Sequence, residues 1–162
     1  MAMQHSRHRS AGFTIVELMV ALIVLIVLLA MAAPAFNKIV ANQRVRNASF
    51  DMFSAMNYAR SEAVKRGVPI SLQAGATSNG AWTTGWRITA GGSLLRSWGA
   101  RSGLTMSESA SLTTVTYGRD GRLTTASPSI AIAPSVTLDG VTSRCVTVDL
   151  SGRPTTKTGA CS

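Results

Sequence analysis

A short polar stretch gives way at Phe13 to an apolar run, and from Leu18 to Ala33 every residue is apolar. Counting Phe13 to Val16, the run spans about 21 positions with one carboxylate, Glu17, inside it. At 1.5 Å per residue such a helix measures roughly 30 Å, the thickness of a bilayer's hydrocarbon core. After Pro34 a helical period takes over without an obvious break. Val45, Ala48, Met52, Met56, Ala59 and Ala63 fall on one stripe with Phe53 beside it, while Arg44, Arg46, Asp51, Arg60 and Glu62 fall mainly elsewhere. Lys65 and Arg66 suit the negative end of a helix dipole, and Gly67 suits a C-cap. The pattern predicts one helix from about Phe13 to Arg66, roughly 80 Å long. Its second half needs a sheet to cover the apolar stripe, whose Met and Phe positions read as core packing and not as a cofactor box.

From Val68 onward the period becomes that of short strands. The candidates are Val68–Ala74, Gly85–Thr89, Leu94–Trp98, Leu112–Tyr117, Ser129–Ala133, Val136–Leu138 and Cys145–Leu150. Gly91-Gly92, Gly118 to Gly121 and Ser151-Gly152 supply turns between them, and Ala74 to Ala81 reads as a polar loop. The expected class is α+β: a long N-terminal helix, transmembrane then amphipathic, packed on an antiparallel sheet or small β-sandwich head. The segments are then a leader (1–12), an apolar helix (13–35), its amphipathic half (36–66) and a β-rich head (67–162).

Charge and cysteine usage narrow the functions such a chain can have. The formal net charge is +9, from 16 Lys and Arg against 7 Asp and Glu. This balance favours anionic partners, or else it is a generic basic surface. Both histidines, His5 and His8, precede the apolar run, so a chain cut behind them has no histidine for nucleophilic catalysis or metal ligation. Cys145 and Cys161 close a loop near the C-terminus and lack the spacing of a redox or metal motif. In an exported chain they read as a structural disulfide worth roughly 3 kcal/mol, the alternative being two unpaired buried thiols.

Three readings of the N-terminal segment compete: a secretory signal cut near Ala30-Met31-Ala32, a plain single-pass anchor, and a leader cut ahead of the apolar run. Arg7 and Arg9, with no acid before Phe13, would hold the N-terminus in the cytoplasm and send the head outward. Glu17 separates the three. A carboxylate in an apolar helix costs several kcal/mol unless it is paired or interfacial, and a simple signal or anchor has no use for one.

The segment Gly12-Phe13-Thr14-Ile15-Val16-Glu17-Leu18 resembles the type III signal of type IV pilins and type II secretion pseudopilins. The resemblance implies that a prepilin peptidase cuts after Gly12 and methylates the new amine of Phe13. Glu17 then becomes the fifth mature residue, and Pro34 takes the place where a proline commonly loosens the helix. It also implies that the Glu17 carboxylate neutralises the terminal amine of a neighbouring subunit, because two charges buried in lipid are tolerable only if they meet. Further along, Tyr58-Ala59-Arg60-Ser61-Glu62-Ala63 and Trp82-Thr83-Thr84-Gly85-Trp86-Arg87-Ile88 are similar to the H-type pseudopilin and FimT/FimU minor pilin branch. So are the glycine–arginine turns Tyr117-Gly118-Arg119-Asp120-Gly121-Arg122 and Val148-Asp149-Leu150-Ser151-Gly152-Arg153.

Little else in the chain suggests chemistry. Gly118 to Arg122 has no following Lys-Ser or Lys-Thr and is a turn, not a phosphate loop. Asp120, Asp139 and Asp149 are too scattered for a calcium site, and no carboxylate pair stands out for acid–base work. The expectation is no catalytic residue, no metal, no cofactor and no small-molecule substrate. The basic residues are the candidates: Arg144, Arg153 and Lys157 toward the C-terminus, and Arg119 and Arg122 in a turn that a sandwich would bring to the same end. Cations on a rigid loop grip phosphates without reading sequence. The branch adds that FimT-type minor pilins include DNA receptors using a C-terminal glycine–arginine segment, although Gly152-Arg153-Pro154-Thr155 lacks the second arginine of that pattern and no aromatic platform accompanies it.

The expected function is that of a minor pilin or pseudopilin, a structural subunit that primes or caps a filament by helix packing. A DNA-binding minor pilin for transformation and an H-type pseudopilin of type II secretion are the alternatives. The implied partners are sister pilin subunits, prepilin peptidase, the inner membrane and, in the DNA reading, nucleic acid. The head would lie in the periplasm before assembly and on a pilus or pseudopilus after it.

Overall fold

The computed structural model describes residues 12–77 and 80–161, apart from the side chains of residues 32–34. One helix, α1, runs Ile15–Arg66. It starts two residues later than the apolar run because Thr14 is its N-cap. The Thr14 carbonyl takes the first helical hydrogen bond, from the Leu18 amide at 3.1 Å, while its Oγ1 accepts from the Glu17 amide at 3.2 Å. At the other end Gly67 adopts φ +64° and its amide closes on the Ala63 carbonyl, the left-handed cap that glycine provides without a Cβ clash. The expected leader (1–12) falls on residues outside the described ones except for Gly12, and the expected loosening at Pro34 concerns a side chain outside them. No single helix among the described residues is long and apolar enough to cross a membrane, though Ile15–Met31 and Ala35–Arg66 meet that test as a joined pair.

The chain divides into two compact units, Met1–Asn37 and Lys38–Ser162. In the first, every large apolar side chain described from Phe13 to Met31 is between 49% and 80% exposed, so no described residue of the unit covers them. The second unit holds the core. Eight strands follow the helix: β1 (Ile70–Ala74), β2 (Trp86–Ala90), β3 (Ser93–Trp98), β4 (Leu104–Glu108), β5 (Thr114–Tyr117), β6 (Ser129–Pro134), β7 (Arg144–Val148) and β8 (Pro154–Thr158). They form two four-stranded sheets, ordered β3-β2-β1-β5 and β4-β6-β7-β8, with antiparallel pairing throughout.

Alternation along the strands decides which residues enter the core. Ile70, Leu72, Trp86, Ile88, Val115 and Tyr117 of the first sheet are buried, as are Leu104, Met106, Ile130, Ile132, Val146 and Val148 of the second. They cluster with the whole predicted stripe of α1, from Val45 to Ala63. Glu62 departs from its expected polar side: it is buried, and its carboxylate takes Arg66 and, at 3.9 Å, Lys65 from the next turn. Two strands, β4 and β8, lie outside the expected set, and one expected strand is absent among the described residues. The β4 alternation, Leu-Thr-Met-Ser-Glu, is plain in the sequence. In contrast, β8 is Pro-Thr-Thr-Lys-Thr and has no apolar residue to reveal it. Val136–Leu138 is not a strand: Pro134 closes β6, Val136 is exposed, and the chain turns with the Val141 amide on the Leu138 carbonyl.

Candidate functional site

The two glycine–arginine turns are joined in the structure. In the first, which follows β5, the Gly118 amide donates to the Arg122 carbonyl (2.8 Å), the Gly121 amide to the Gly118 carbonyl (2.8 Å), and the Arg122 amide to Asp120 Oδ1 (3.1 Å). In the second, between β7 and β8, the Gly152 amide donates to the Asp149 carbonyl (2.8 Å). The Asp149 carboxylate takes the Arg153 amide (2.9 Å) and the Ser151 hydroxyl (2.6 Å). Those two hydrogen bonds, Ser151 first, with help from the Arg153 charge, hold the Asp149 carboxyl below its ordinary value of 3.8.

Gly152 lies directly on Gly121. A Cβ at residue 152 would stand 2.0 Å from the Gly121 carbonyl oxygen, and both glycines have positive φ, +82° and +75°. The same carbonyl accepts Arg60 Nε from α1 at 3.2 Å, and the Leu123 amide donates to the Leu150 carbonyl at 3.3 Å. Helix and both turns are thus tied at one point. Beneath it the Tyr117 hydroxyl is buried without a partner among the described residues, and burial pushes its pKa well above the usual phenol range.

This arrangement sorts the five candidate cations. Arg119, Arg122 and Arg153 stand on the joined turns, all exposed, and none makes an ion pair or side-chain hydrogen bond with a described residue. Arg144 and Lys157 lie at the far end of the β7–β8 hairpin. Arg144, half-buried, pairs in register with Thr158 and Ile132, while the exposed Lys157 pairs with Cys145. Four residues of extended chain put Lys157 about 13 Å along the strand from Arg153. Asp120 and Asp149 sit on the same turns as the three arginines, so the patch is mixed although basic in balance. The sequence suggested the meeting of the turns only as a consequence of a sandwich, and it gave no sign that Arg60 reaches the same point.

The disulfide joins Cys145 of β7 to Cys161, with Cα atoms 5.0 Å apart. At the other end of the chain, the Thr14 amide and Glu17 Oε2 are 3.5 Å apart; with the Glu17 amide on Thr14 Oγ1 they form a capping box, Thr-x-x-Glu, that sets where α1 begins. Among the described residues, no group of three or more His, Cys, Asp or Glu is placed to hold a metal ion.

An N-terminal helix carrying a Gly-Phe-Thr-x-x-Glu start, followed by two antiparallel sheets over its second half, defines the class of type IV pilin-like proteins. The model of the prokaryotic N-terminal methylation motif matches residues 7–33. The chain belongs to the family of type II transport protein GspH, whose model matches residues 48–152. Two crystal structures of the type IV minor pilin FimU from Pseudomonas aeruginosa are similar to it. One is 27% identical over 71% of this chain and 89% of that one, with a TM-score of 0.60. The other is 28% identical over 69% and 91%, with a TM-score of 0.58. No curated protein sequence gives a significant match.

Proposed function

We propose that the chain is a minor pilin or pseudopilin: a structural subunit, with no catalytic step of its own, that is cut after Gly12 and methylated at Phe13. The apolar segment 13–35 anchors it in the inner membrane with the head in the periplasm, and then passes into a filament. The observation that carries this reading is the unbroken exposure of Phe13 to Met31 on a helix that begins with a methylation motif. So long an apolar surface needs lipid or sister helices around it. Among the described residues Glu17 has only its own helix start as partner, which leaves its carboxylate to meet the terminal amine of a neighbour. The test is Glu17→Val: the variant is expected to be inserted and folded but to fail to co-purify with sheared filaments, and normal co-assembly would contradict the role.

A second reading, DNA binding at a filament tip, is favoured by one observation, the joining of two turns that carry three exposed arginines. Phosphate contacts release counterions, so binding would weaken steeply with salt. In a titration of the full-length protein in detergent, Arg153→Ala is expected to lower the slope of log affinity against log salt by about 0.7–0.9. The absence of binding at low salt would remove this reading and leave the structural one intact. A role in type II secretion, with the head against other minor subunits or cargo, draws on the family to which the chain belongs.

A further inference from the structure

Away from the joined turns, a cavity of about 190 Å3 opens between α1 and the segment leading into β4, lined by Arg44, Asn47, Arg101 and Ser102 among others. Among the side chains that line it, donors predominate: two guanidinium groups, an amide and a hydroxyl. Gln43 Nε2 donates to Asn47 Oδ1 at 2.8 Å, which uses the amide oxygen and leaves the Asn47 NH2 group. Arg101 is fixed from outside the cavity: Asp51 holds one end of its guanidinium at 2.8 Å and the Trp86 ring lies 5.2 Å from its Cζ. Its Nε is buried and has no acceptor among the described residues. Arg44 makes no hydrogen bond or ion pair with any described residue, yet its guanidinium is tucked against Gly103, 2.7 Å from where a Cβ would stand. Among the described residues no carboxylate lines the space.

Two guanidinium groups gathered around one cavity repel each other, and a buried donor without an acceptor costs free energy. A cation finds little here to coordinate it. An oxyanion answers the groups that face the space, through charge-assisted hydrogen bonds from both guanidinium groups and neutral ones from Asn47 and Ser102, while the buried Nε of Arg101 takes no part. We propose that this cavity is an oxyanion site taking a carboxylate or phosphate group between Arg44 and Arg101. The group comes either from a small free anion or from an acidic side chain of an adjoining subunit; the second source rests on the filament reading above, while the site itself does not.

The experiment is a titration of the full-length protein in detergent with inorganic phosphate and with acetate at constant ionic strength, following the amide NMR signals of Asn47 and Ser102. Saturable shifts are expected. Arg44→Gln, at an exposed helix position, should weaken the binding about tenfold or more. Ser102→Asp, which places a carboxylate in the cavity, should abolish it with the remaining spectrum intact. Repeating the phosphate titration on assembled filaments separates the sources: lost binding identifies a neighbour's acid as the occupant, and retained binding identifies a free anion. Shifts that do not saturate, or that are unchanged in Arg44→Gln, would overturn the site.

Discussion

The joining of Gly121 and Gly152 is a single-residue device, and its cost of disruption is predictable. Gly140 and Gly152 have nearly the same φ, +81° and +82°, but a Cβ at Gly140 meets nothing within 4 Å while one at Gly152 meets a backbone carbonyl at 2.0 Å. Alanine at Gly140 is therefore expected to cost about 1 kcal/mol, the left-handed strain alone. Alanine at Gly152 should cost about 2 kcal/mol more, because a backbone must move to relieve the clash. Chemical denaturation of the two variants checks the difference, and equal costs would mean that the turns are not held together through this contact. The sequence marks both glycines as turn residues. Their contact is long-range and depends on strand order, which no local pattern encodes. The same limit applies to Arg60, whose spacing places it beside the apolar stripe but cannot say that a carbonyl from a distant turn meets it.

At the scale of elements, legibility follows from how much apolar surface each one buries. The α1 stripe is readable because Val45, Ala48, Met52, Met56, Ala59 and Ala63 repeat at the helical period and every one enters the core. The sequence misleads at Val136–Leu138 because short apolar runs also occur in turns, and Pro134 and Gly140 are the signals against a strand. The opposite case is β8, a terminal edge strand with no buried residue, held by its ladder to β7, by hydroxyl contacts such as Thr155 to Thr147 (2.8 Å), and by the Cys145–Cys161 bridge. The bridge thus substitutes for a core that this strand lacks. Replacing both cysteines by serine is expected to cost about 3 kcal/mol. The loss should be local: amide exchange should rise across Thr155 to Thr158 before it rises in β6 or β7. Uniform acceleration across the second sheet would show that the bridge supports the whole sheet and not its edge.

The whole molecule carries two apolar surfaces with different fates. One is buried between the helix and the two sheets; the other, Phe13 to Met31, is left to be covered by something else. A globular protein alone has no need of the second, and a secreted one would discard it. A subunit that is first anchored and then packed among sister helices keeps it, together with the Glu17 carboxylate at its start. The first residue of the mature protein distinguishes these outcomes. Mass spectrometry of the chain purified from membranes is expected to find an N-terminus at N-methylated Phe13, with the peptide through Glu17 retained. A chain beginning at Ala33 would make the apolar run a discarded signal, an uncut chain beginning at Met1 would make it a plain anchor, and either would contradict assembly through this helix.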